Sequence, residues 1–454
     1  MLADVKTGKV RAILSESDSS WIEPNNIYWL EKNQKFTWMS ERDDWQHIYL
    51  YSRSGQKMGL LTPGEFDVIV IQGIDETNGW LYYIASPENP SQRYLCRISL
   101  NGTGGPERIT PKGMAGTHLY QVSPDFRWAI HTHSTIEIPP TIDLVRLPGH
   151  DVVRVLEDNA ELRECVNKIK RRPTEFFRID IGEGVELDGC CIKPPDMDPD
   201  KLYPLLFYVY GEPALQTVLD KWEGRQYLWH LMLAQQGYLI MSMDNRGTPA
   251  PRSRAWRKII YRQLGILAAL DQAAATQAII KRWGYVDPLR IGVYGHSGGG
   301  QMSLNLIFRY PDLYCLAMPS SFVSHQRFYH PGYQECFMGL LQDNPEGYKN
   351  GSPITWAHRL KGDLLIIHGT ADSNVHYQSY EALTNELVAE KKRFTMMVYP
   401  NREHGLREGE NTQYHLYDLR TWYLKVHMLP GPRSRWNQNP CSSIEFFPII
   451  LNEK

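Results

Sequence analysis

The chain has 454 residues, with 49 Lys and Arg against 51 Asp and Glu, which gives a formal charge of −2. This near balance excludes a nucleic acid or an anionic membrane held as a partner by bulk charge. Hydrophobic residues make up 42% of the chain and aromatic residues 11%, so a disordered chain is also excluded. No apolar run approaches the ~18 residues of a membrane-spanning helix, and the length predicts two or three domains at ~150 residues each.

The seven cysteines are scattered and odd in number, which is not the pattern of a disulfide framework, and no CxxC pair indicates zinc. We therefore expect no metal ion and no organic cofactor. The first ten residues, MLADVKTGKV, are polar and lack the apolar core of a signal peptide. As given, the chain is expected to be cytoplasmic, and to be periplasmic or secreted if an N-terminal segment is missing.

The first third of the chain contains a repeat with a period of 47 residues, marked by Gly8, Gly55, Gly102 and Gly149. Each glycine ends one short alternating run and precedes a second one, which is the pattern of a β-hairpin around a glycine turn. Further strand-like runs lie between the glycines, at 36–40, 81–86 and 128–134. Four short strands in every ~40–50 residues predict the blades of a β-propeller. A β-sandwich with coincidental spacing is the alternative.

The repeat ends near Leu156, which leaves room for three complete blades and the last hairpin of a fourth. Closed propellers need about four to eight blades, and Met1 falls inside a blade. We therefore expect residues 1–156 to be a partial β-propeller of about three to four blades, either the C-terminal part of a longer propeller or an open one with exposed edges.

From residue 157 the pattern changes to that of an α/β domain, which we place at 157–430. An antiparallel strand pair is predicted at 175–181 and 185–195, and short apolar runs then alternate with helical segments. The apolar runs lie at 204–210, 238–243, 290–294, 315–319, 364–368 and 394–399. Continuous apolar runs indicate strands of a parallel sheet that is buried on both faces. The prediction is a doubly wound, mostly parallel α/β fold, followed by a C-terminal tail over 431–454.

The segment Gly295-His296-Ser297-Gly298-Gly299 has the form G-x-S-x-G and lies between a predicted strand and a predicted helix. Such a turn exposes the serine hydroxyl, and the helix N-terminus behind it favours developing negative charge. Asp372 follows the apolar run at 364–368, and His404 follows the run at 394–399. The order Ser297, Asp372, His404 is that of the catalytic triad of an α/β-hydrolase.

This order predicts a role for each residue. Ser297 attacks a carbonyl carbon, His404 takes up and returns the proton, and Asp372 orients His404 and stabilises its cationic form. The backbone N–H of Gly298 is predicted as one oxyanion donor. Taken singly, the three side chains could instead be a helix N-cap, a turn aspartate and a surface histidine. Their shared order and their positions after strands favour the triad.

Other polar residues have simpler interpretations. His296, beside the serine, is expected to pack, and His368 is expected to make a core hydrogen bond. A basic run is expected to be a solvated or domain-facing surface rather than a nucleic-acid patch. This run consists of Arg252, Arg254, Arg257, Lys258 and Arg262.

A C-terminal α/β-hydrolase preceded by propeller blades resembles the prolyl oligopeptidase family of serine peptidases, and in detail its dipeptidyl-peptidase IV branch. The resemblance covers residues 1–430 and is carried by the strings FYVYGEP, MDNRG, YGHSGGG, YQECFMG, HGTADSNVH and EHG. It implies a serine peptidase acting on peptides, which releases N-terminal dipeptides after Pro or Ala. Relatives of this branch often dimerise, so a homodimer is one expected assembly.

The resemblance also implies functions for further residues. Tyr210 stands where the branch has its second oxyanion donor. Tyr329 and Tyr333 match the tyrosines that line the pocket for the residue before the cut, and Val323 and Val375 match its aliphatic wall. Asn374 matches a residue that binds the backbone carbonyl of the substrate. Packing in the core is the alternative interpretation of all these side chains.

The chain also departs from the branch pattern. Gly298 stands in place of an aromatic residue, His296 in place of a tryptophan and Cys336 in place of an arginine. Branch members bind the amino terminus of the substrate with a Glu-Glu pair in an early blade, and no such pair occurs here. Two alternatives therefore stay open. One is a relaxed acylaminoacyl-type peptidase or esterase, and the other is a truncated inactive product that lacks N-terminal blades.

Overall fold

The computed structural model describes residues 1–23 and 26–435. The C-terminal tail was predicted over 431–454, and its residues from 436 onward lie outside the described residues. Within the described ranges, no helix has both the length and the apolar character that crossing a bilayer requires.

The N-terminal part of the chain is built from antiparallel β-sheets. Its strands are β1 (Leu2–Ala3), β2 (Val10–Arg11), β3 (Tyr28–Leu30), β4 (Lys35–Ser40), β5 (His47–Ser52), β6 (Lys57–Leu60), β7 (Val68–Asp75), β8 (Trp80–Ala85), β9 (Tyr94–Ser99), β10 (Glu107–Arg108), β11 (Thr117–Val122), β12 (Trp128–Ser134), β13 (Thr141–Arg146) and β14 (Asp151–Glu157). The hairpin β1–β2 comes first, followed by three four-stranded sheets, β3–β6, β7–β10 and β11–β14, each with its strands in chain order. This meander is the structure of a propeller blade, so the prediction of blades is confirmed.

The glycines of the 47-residue repeat lie in the last hairpin of each sheet. They separate β1 from β2, β5 from β6, β9 from β10 and β13 from β14. Gly8, Gly55 and Gly102 have φ of 70°, 94° and 75°, a region that favours glycine. In the fourth hairpin, His150 rather than Gly149 has the positive φ, at 58°.

The C-terminal part is an α/β domain. Its strands are β15 (Glu175–Asp180), β16 (Glu186–Ile192), β17 (Lys201–Tyr208), β18 (Leu239–Asp244), β19 (Val286–His296), β20 (Leu316–Ser320), β21 (Asp363–Gly369), β22 (Thr395–Tyr399) and β23 (Arg433–Ser434). Its helices are α1 (Ala160–Lys168), α2 (Arg225–Gln235), α3 (Arg254–Lys258), α4 (Leu267–Arg282), α5 (Gly298–Arg309), α6 (Pro331–Met338), α7 (Pro345–Gly351), α8 (Gln378–Ala389) and α9 (Thr412–His427). Short 3-10 helices lie at Gln326–Phe328, Leu341–Asp343 and Pro353–Arg359.

The strands of this domain form one mixed sheet in the order β15-β16-β18-β17-β19-β20-β21-β22, with β23 paired to β17. From β18 to β22 neighbouring strands are parallel, whereas β15 and β16 are antiparallel. Alternate residues of one strand enter two different cores: Leu205 and Phe207 pack in one, and Leu206 packs in the other. Burial on both faces explains the continuous apolar runs. The predicted α/β-hydrolase fold is confirmed.

A buried ionic network joins the blades to the hydrolase domain. Arg257 of α3 contacts Asp67 at 2.6 Å and Glu41 at 2.5 Å, and its neighbour Lys258 contacts Asp18 at 3.0 Å. Both basic side chains are nearly inaccessible to solvent. The basic run of the sequence therefore faces the blades at these positions, which agrees with its interpretation as a domain-facing surface.

Candidate active site

The predicted nucleophile lies at a strained turn between a strand and a helix. Ser297 joins β19 to α5 with φ of 60° and ψ of −121°, a conformation that costs a non-glycine residue about 1–3 kcal/mol. Its N–H donates to the carbonyl oxygen of Ser320 at 2.9 Å. A Cβ atom at Gly299 would lie 2.1 Å from the carbonyl oxygen of Val209. Only glycine therefore allows the chain to turn this tightly behind the serine.

Asp372 and His404 form a hydrogen-bonded pair at the same edge of the sheet. Nδ1 of His404 lies 2.8 Å from Oδ2 of Asp372, while Oδ1 accepts the N–H groups of Asn374 at 3.0 Å and Val375 at 2.8 Å. Burial acts to raise the pKa of Asp372, but the hydrogen bonds from His368 and His404 outweigh it and lower the pKa. Asp372 is therefore an ionised acceptor that orients the His404 ring.

His368 supports this pair from within the core. Its Nε2 donates to the carbonyl oxygen of Val375 at 2.9 Å, which agrees with the core hydrogen bond expected from the sequence. The same Nε2 lies 3.4 Å from Oδ2 of Asp372. His368 lies four residues before Asp372, and the turn that ends β21 lies between them. Whether the two side chains meet depends on the conformation of that turn. The sequence alone did not indicate this second contact.

Ser297 and His404, both among the described residues, are not joined by a hydrogen bond. The His404 ring instead lies 4.8 Å from the ring of His296, with the two planes at 50°. Burial, followed by the nearby His404, lowers the pKa of His296 to about 3, so His296 is neutral at neutral pH. Hydrogen bonds between catalytic groups are often long in free enzymes and shorten when substrate binds. His296 also contacts Oγ of Ser320 at 3.1 Å, consistent with its expected packing role.

Two donor groups lie near Ser297. Gly298 is the first residue of α5, where a helix leaves its N–H groups without an intrahelical acceptor. Tyr210 follows β17, and its hydroxyl lies close enough to Ser297 for the serine to act on its pKa. Burial raises the pKa of Tyr210, and the charges of Glu212 and Tyr329 add to the rise. The phenol therefore keeps its proton and can donate it to an oxyanion.

Replacing Tyr210 by Phe is expected to lower kcat by about 10²–10³-fold, the usual loss for one oxyanion donor. KM should change little, since the lost hydrogen bond forms fully only in the transition state. Steady-state kinetics on a dipeptide amide measures both constants. Tyr238→Phe is the matched control, because Tyr238 is also buried and its hydroxyl bonds to the carbonyl oxygen of Met428. An unchanged kcat in Tyr210→Phe would contradict the assignment.

The tyrosines predicted to line the substrate pocket lie together. The rings of Tyr329 and Tyr333 are 5.2 Å apart at 78°, and the Tyr329 hydroxyl donates to Oδ1 of Asn374 at 3.1 Å. Val323 and Val375, predicted as the aliphatic wall, are both buried. Asn374 immediately follows the loop of Asp372, so this contact brings the predicted pocket next to the Asp–His pair.

Glu212 is a residue of this site that the sequence did not indicate. Its Oε2 accepts a hydrogen bond from the Tyr333 hydroxyl at 2.9 Å, and it lines a small cavity together with Tyr210 and Gly298. Burial raises the pKa of this carboxyl to about 7, although the hydrogen bond from Tyr333 opposes the rise. The only available signal was its place in the string FYVYGEP, two residues after Tyr210.

This raised pKa predicts a pH-dependent cost in stability. The folded pKa of Glu212 is about 7, against an ordinary value of 4.5, so the folded state favours the protonated form. Stability is therefore lost as the pH rises from 4.5 through 7, by about 3 kcal/mol in total. Glu212→Gln cannot titrate and should escape this loss. In calorimetric unfolding, the melting temperature of Glu212→Gln relative to that of the wild-type chain should be higher at pH 8.5 than at pH 5. The same difference in melting temperature at both pH values would contradict the prediction.

Comparisons with known proteins agree with this fold and site. Residues 226–429 match the model of the Prolyl oligopeptidase family, and residues 1–140 match the Dipeptidyl peptidase IV (DPP IV) N-terminal region. Dipeptidyl peptidase 8 of Homo sapiens is 28% identical over 370 residues, 78% of this chain and 41% of the relative. Prolyl endopeptidase FAP of Mus musculus is 29% identical over 397 residues, 85% and 51% of the two chains.

Among solved structures, the crystal structure of Porphyromonas gingivalis dipeptidyl peptidase 4 matches with a TM-score of 0.83 and 34% identity. The match covers 88% of this chain and 55% of that chain. The chain spans about half the length of the curated relatives it matches.

The chain thus combines propeller blades with an α/β-hydrolase domain that has a serine at the turn after β19. The two matched models cover most of both parts of the chain. Residues 226–429 are therefore a domain of the prolyl oligopeptidase family, and residues 1–140 are a region of the DPP IV N-terminal type.

Proposed function

We propose that this protein is a serine peptidase that hydrolyses peptide bonds through Ser297, Asp372 and His404 and releases N-terminal dipeptides after Pro or Ala. The observation that carries this proposal is the hydrogen-bonded pair of Asp372 and His404 beside the strained Ser297 turn. The family supports the chemistry, and the relatives named dipeptidyl peptidases support the specificity.

The proposed reaction begins with attack of Ser297 Oγ on the scissile carbonyl carbon. His404 takes the serine proton at Nε2 while Asp372 stays ionised and holds Nδ1–H. The negative charge moves to the carbonyl oxygen, where the Tyr210 hydroxyl and the Gly298 N–H donate to it. His404 then protonates the departing amine as the C–N bond breaks. Water, deprotonated by His404, releases the acyl group and restores Ser297.

The pocket supports a small or cyclic residue before the cut. Tyr329 and Tyr333 present aromatic surface at close range, and a flat apolar slot buries a pyrrolidine ring or a methyl group well. Asn374 lies at the rim, where its side chain can bind the substrate backbone in the way the resemblance implies. Selectivity for Pro or Ala would follow from the size of this slot.

Hydrolysis of three chromogenic amides tests the proposal. Ala-Pro, Ala-Ala and N-acetyl-Ala-Pro p-nitroanilides should be compared on the wild-type chain and on Ser297→Ala. The proposal expects cleavage of the two free-amine substrates, little cleavage of the acetylated one, and no cleavage by the variant. Absence of any Ser297-dependent hydrolysis would overturn it.

A second candidate function is a relaxed or endopeptidase-type serine hydrolase, which does not need a free amino terminus. Gly298 favours it, because no aromatic side chain closes the pocket at that position. The matched relative named a prolyl endopeptidase also favours it. Equal rates on the acetylated and free Ala-Pro substrates would select this second function over the first.

The homodimer implied by the resemblance stays a proposal. Trp422 and Val426 of α9 are more than half exposed, and apolar surface on a late helix is suited to a contact between copies. Sedimentation at micromolar concentration would distinguish a dimer from a monomer.

A further inference from the structure

An acidic side chain takes the space that an aromatic side chain at position 298 would fill. A Cβ atom built on Gly298 would lie 2.9 Å from Oε2 of Glu212 and 3.2 Å from its Cγ. Because the nearest atom is the flexible end of the Glu212 side chain, a larger residue at 298 would force the carboxyl to move from its present position. The glycine at 298 therefore removes the aromatic wall and also leaves the space that Glu212 occupies.

Glu212 is held in place from the pocket side. The Tyr333 hydroxyl donates to Oε2 at 2.9 Å, so Glu212 is in contact with one of the two tyrosines that line the pocket. Glu212 as a whole is only 8% exposed. Among the described residues, Oε1 has no hydrogen-bond partner. Oε1 is not one of the fully buried polar atoms that lack a partner, so a ligand or water can reach it and supply the donor that the protein does not.

The position of Glu212 limits the length of the substrate side chain that can bond to it. Glu212 packs on the residue directly after Ser297, and adjacent Cα atoms are about 3.8 Å apart. A short side chain on the residue before the scissile bond can span such a gap, whereas the long chain of Lys or Arg would have to fold back. A cavity of about 10 Å³, the space of about one water molecule, also lies beside Glu212, but Ala268 and Met302 line it and Tyr329 and Tyr333 do not, so it does not extend the substrate pocket.

We propose that Glu212 is a specificity-determining residue, whose free oxygen selects substrates with a hydroxyl on the residue before the cut, such as 4-hydroxyproline or serine. The inference rests on the proposed function, since it assigns a preference to that same pocket. The substrate hydroxyl donates a hydrogen bond to Oε1. A site built to bond a substrate hydroxyl discriminates more strongly than an apolar slot, because the unpaired polar group is left buried when the hydroxyl is missing.

The test compares substrates that differ by a single hydroxyl. Ala-Pro and Ala-4-hydroxyproline p-nitroanilides, the latter in both ring epimers, form one set, and Ala-Ala and Ala-Ser form a second. At pH 8.5, above the pKa of about 7 of Glu212, we expect kcat/KM of the wild-type chain to favour one hydroxyproline epimer over proline by about tenfold or more, as for a hydrogen bond to a charged group. Glu212→Leu should abolish this ratio, and Glu212→Gln, which keeps an acceptor, should retain part of it. Glu335→Gln on α6 is the matched control and should leave the ratio unchanged.

A ratio near one in the wild-type chain, or the same ratio in Glu212→Leu, overturns the inference. Better cleavage of Ala-Lys than of any hydroxylated substrate overturns it as well, because it assigns the carboxylate to a cation. A general loss of folding would lower all rates together and leave the ratio intact, so the ratio reports on specificity alone.

Binding separates this inference from the proposed function. Calorimetric titration of Ser297→Ala with the same dipeptide amides needs no turnover. Tighter binding of a hydroxylated compound, lost in Ser297→Ala/Glu212→Leu, supports the inference even if the wild-type chain hydrolyses nothing. Hydrolysis with equal binding of both compounds supports the proposed function and overturns the inference. Absence of binding by either compound overturns the inference.

Discussion

Ser297→Ala is expected to lower kcat for dipeptide amides by about 10⁶-fold, the loss seen when a triad nucleophile is removed. The alanine keeps the strained turn but supplies no oxygen to form the acyl intermediate. Residual hydrolysis would come from the two proposed oxyanion donors and from binding alone. KM should stay within a few-fold of the wild-type value, because Oγ contributes little to ground-state binding. Steady-state and single-turnover kinetics measure both constants.

Ser303→Ala is the control for this variant. Ser303 lies on the same helix, α5, is buried, and donates its hydroxyl hydrogen to the carbonyl oxygen of Gly299 at 2.7 Å. Its loss should cost about 1 kcal/mol of stability and leave kcat nearly unchanged. Comparable activity of Ser297→Ala and Ser303→Ala would mean that Ser297 is not the nucleophile.

Asp372→Asn is expected to lower kcat by about 10⁴-fold with little change in fold. The carboxylate now accepts from Nδ1 of His404 and from two backbone N–H groups. An asparagine that keeps the backbone contacts turns its NH₂ group toward Nδ1, which favours the tautomer with the proton on Nε2. His404 then has no free nitrogen to take the proton from Ser297.

The matched control lies at the opposite end of the same strand. Asp363 begins β21 and contacts Nδ1 of His427 at 3.0 Å, so it forms a second Asp–His pair away from the site. Asp363→Asn should leave kcat unchanged. The pH profile adds a further check, because kcat of Asp372→Asn should rise toward high pH as hydroxide takes the serine proton that His404 no longer accepts. Full activity of Asp372→Asn at neutral pH would contradict the triad.

The sequence predicted the fold because its patterns report local physics. The glycines of the 47-residue repeat are needed where hairpins turn with positive φ, and the continuous apolar runs reflect a sheet that is buried on both faces. The order of Ser297, Asp372 and His404 could predict that they lie close together, because the carboxyl ends of parallel strands meet at one edge of the sheet. Each of these signals depends only on the residues of one segment or on the order of the segments along the chain.

The parts that the sequence did not predict depend on contacts between distant segments. Glu212 lies in the string FYVYGEP, but its bond to Tyr333 joins residues 121 positions apart. The ion pairs of Arg257 with Glu41 and Asp67 likewise join α3 to two different blades. The resemblance implied an aromatic residue at position 298, where this chain has glycine. That Glu212 occupies the space next to Gly298 could be learned only from the packing in the structure.

The measurement that tests the central claim most directly is covalent labelling of the intact chain with a fluorophosphonate, followed by peptide mapping by mass spectrometry. Such a probe phosphonylates a serine only where a general base and an oxyanion site activate it. The account predicts one adduct per chain, on the peptide that contains Ser297, and slower labelling in Asp372→Asn and Tyr210→Phe. An adduct on another serine, or labelling that is unaffected by these substitutions, would contradict the account.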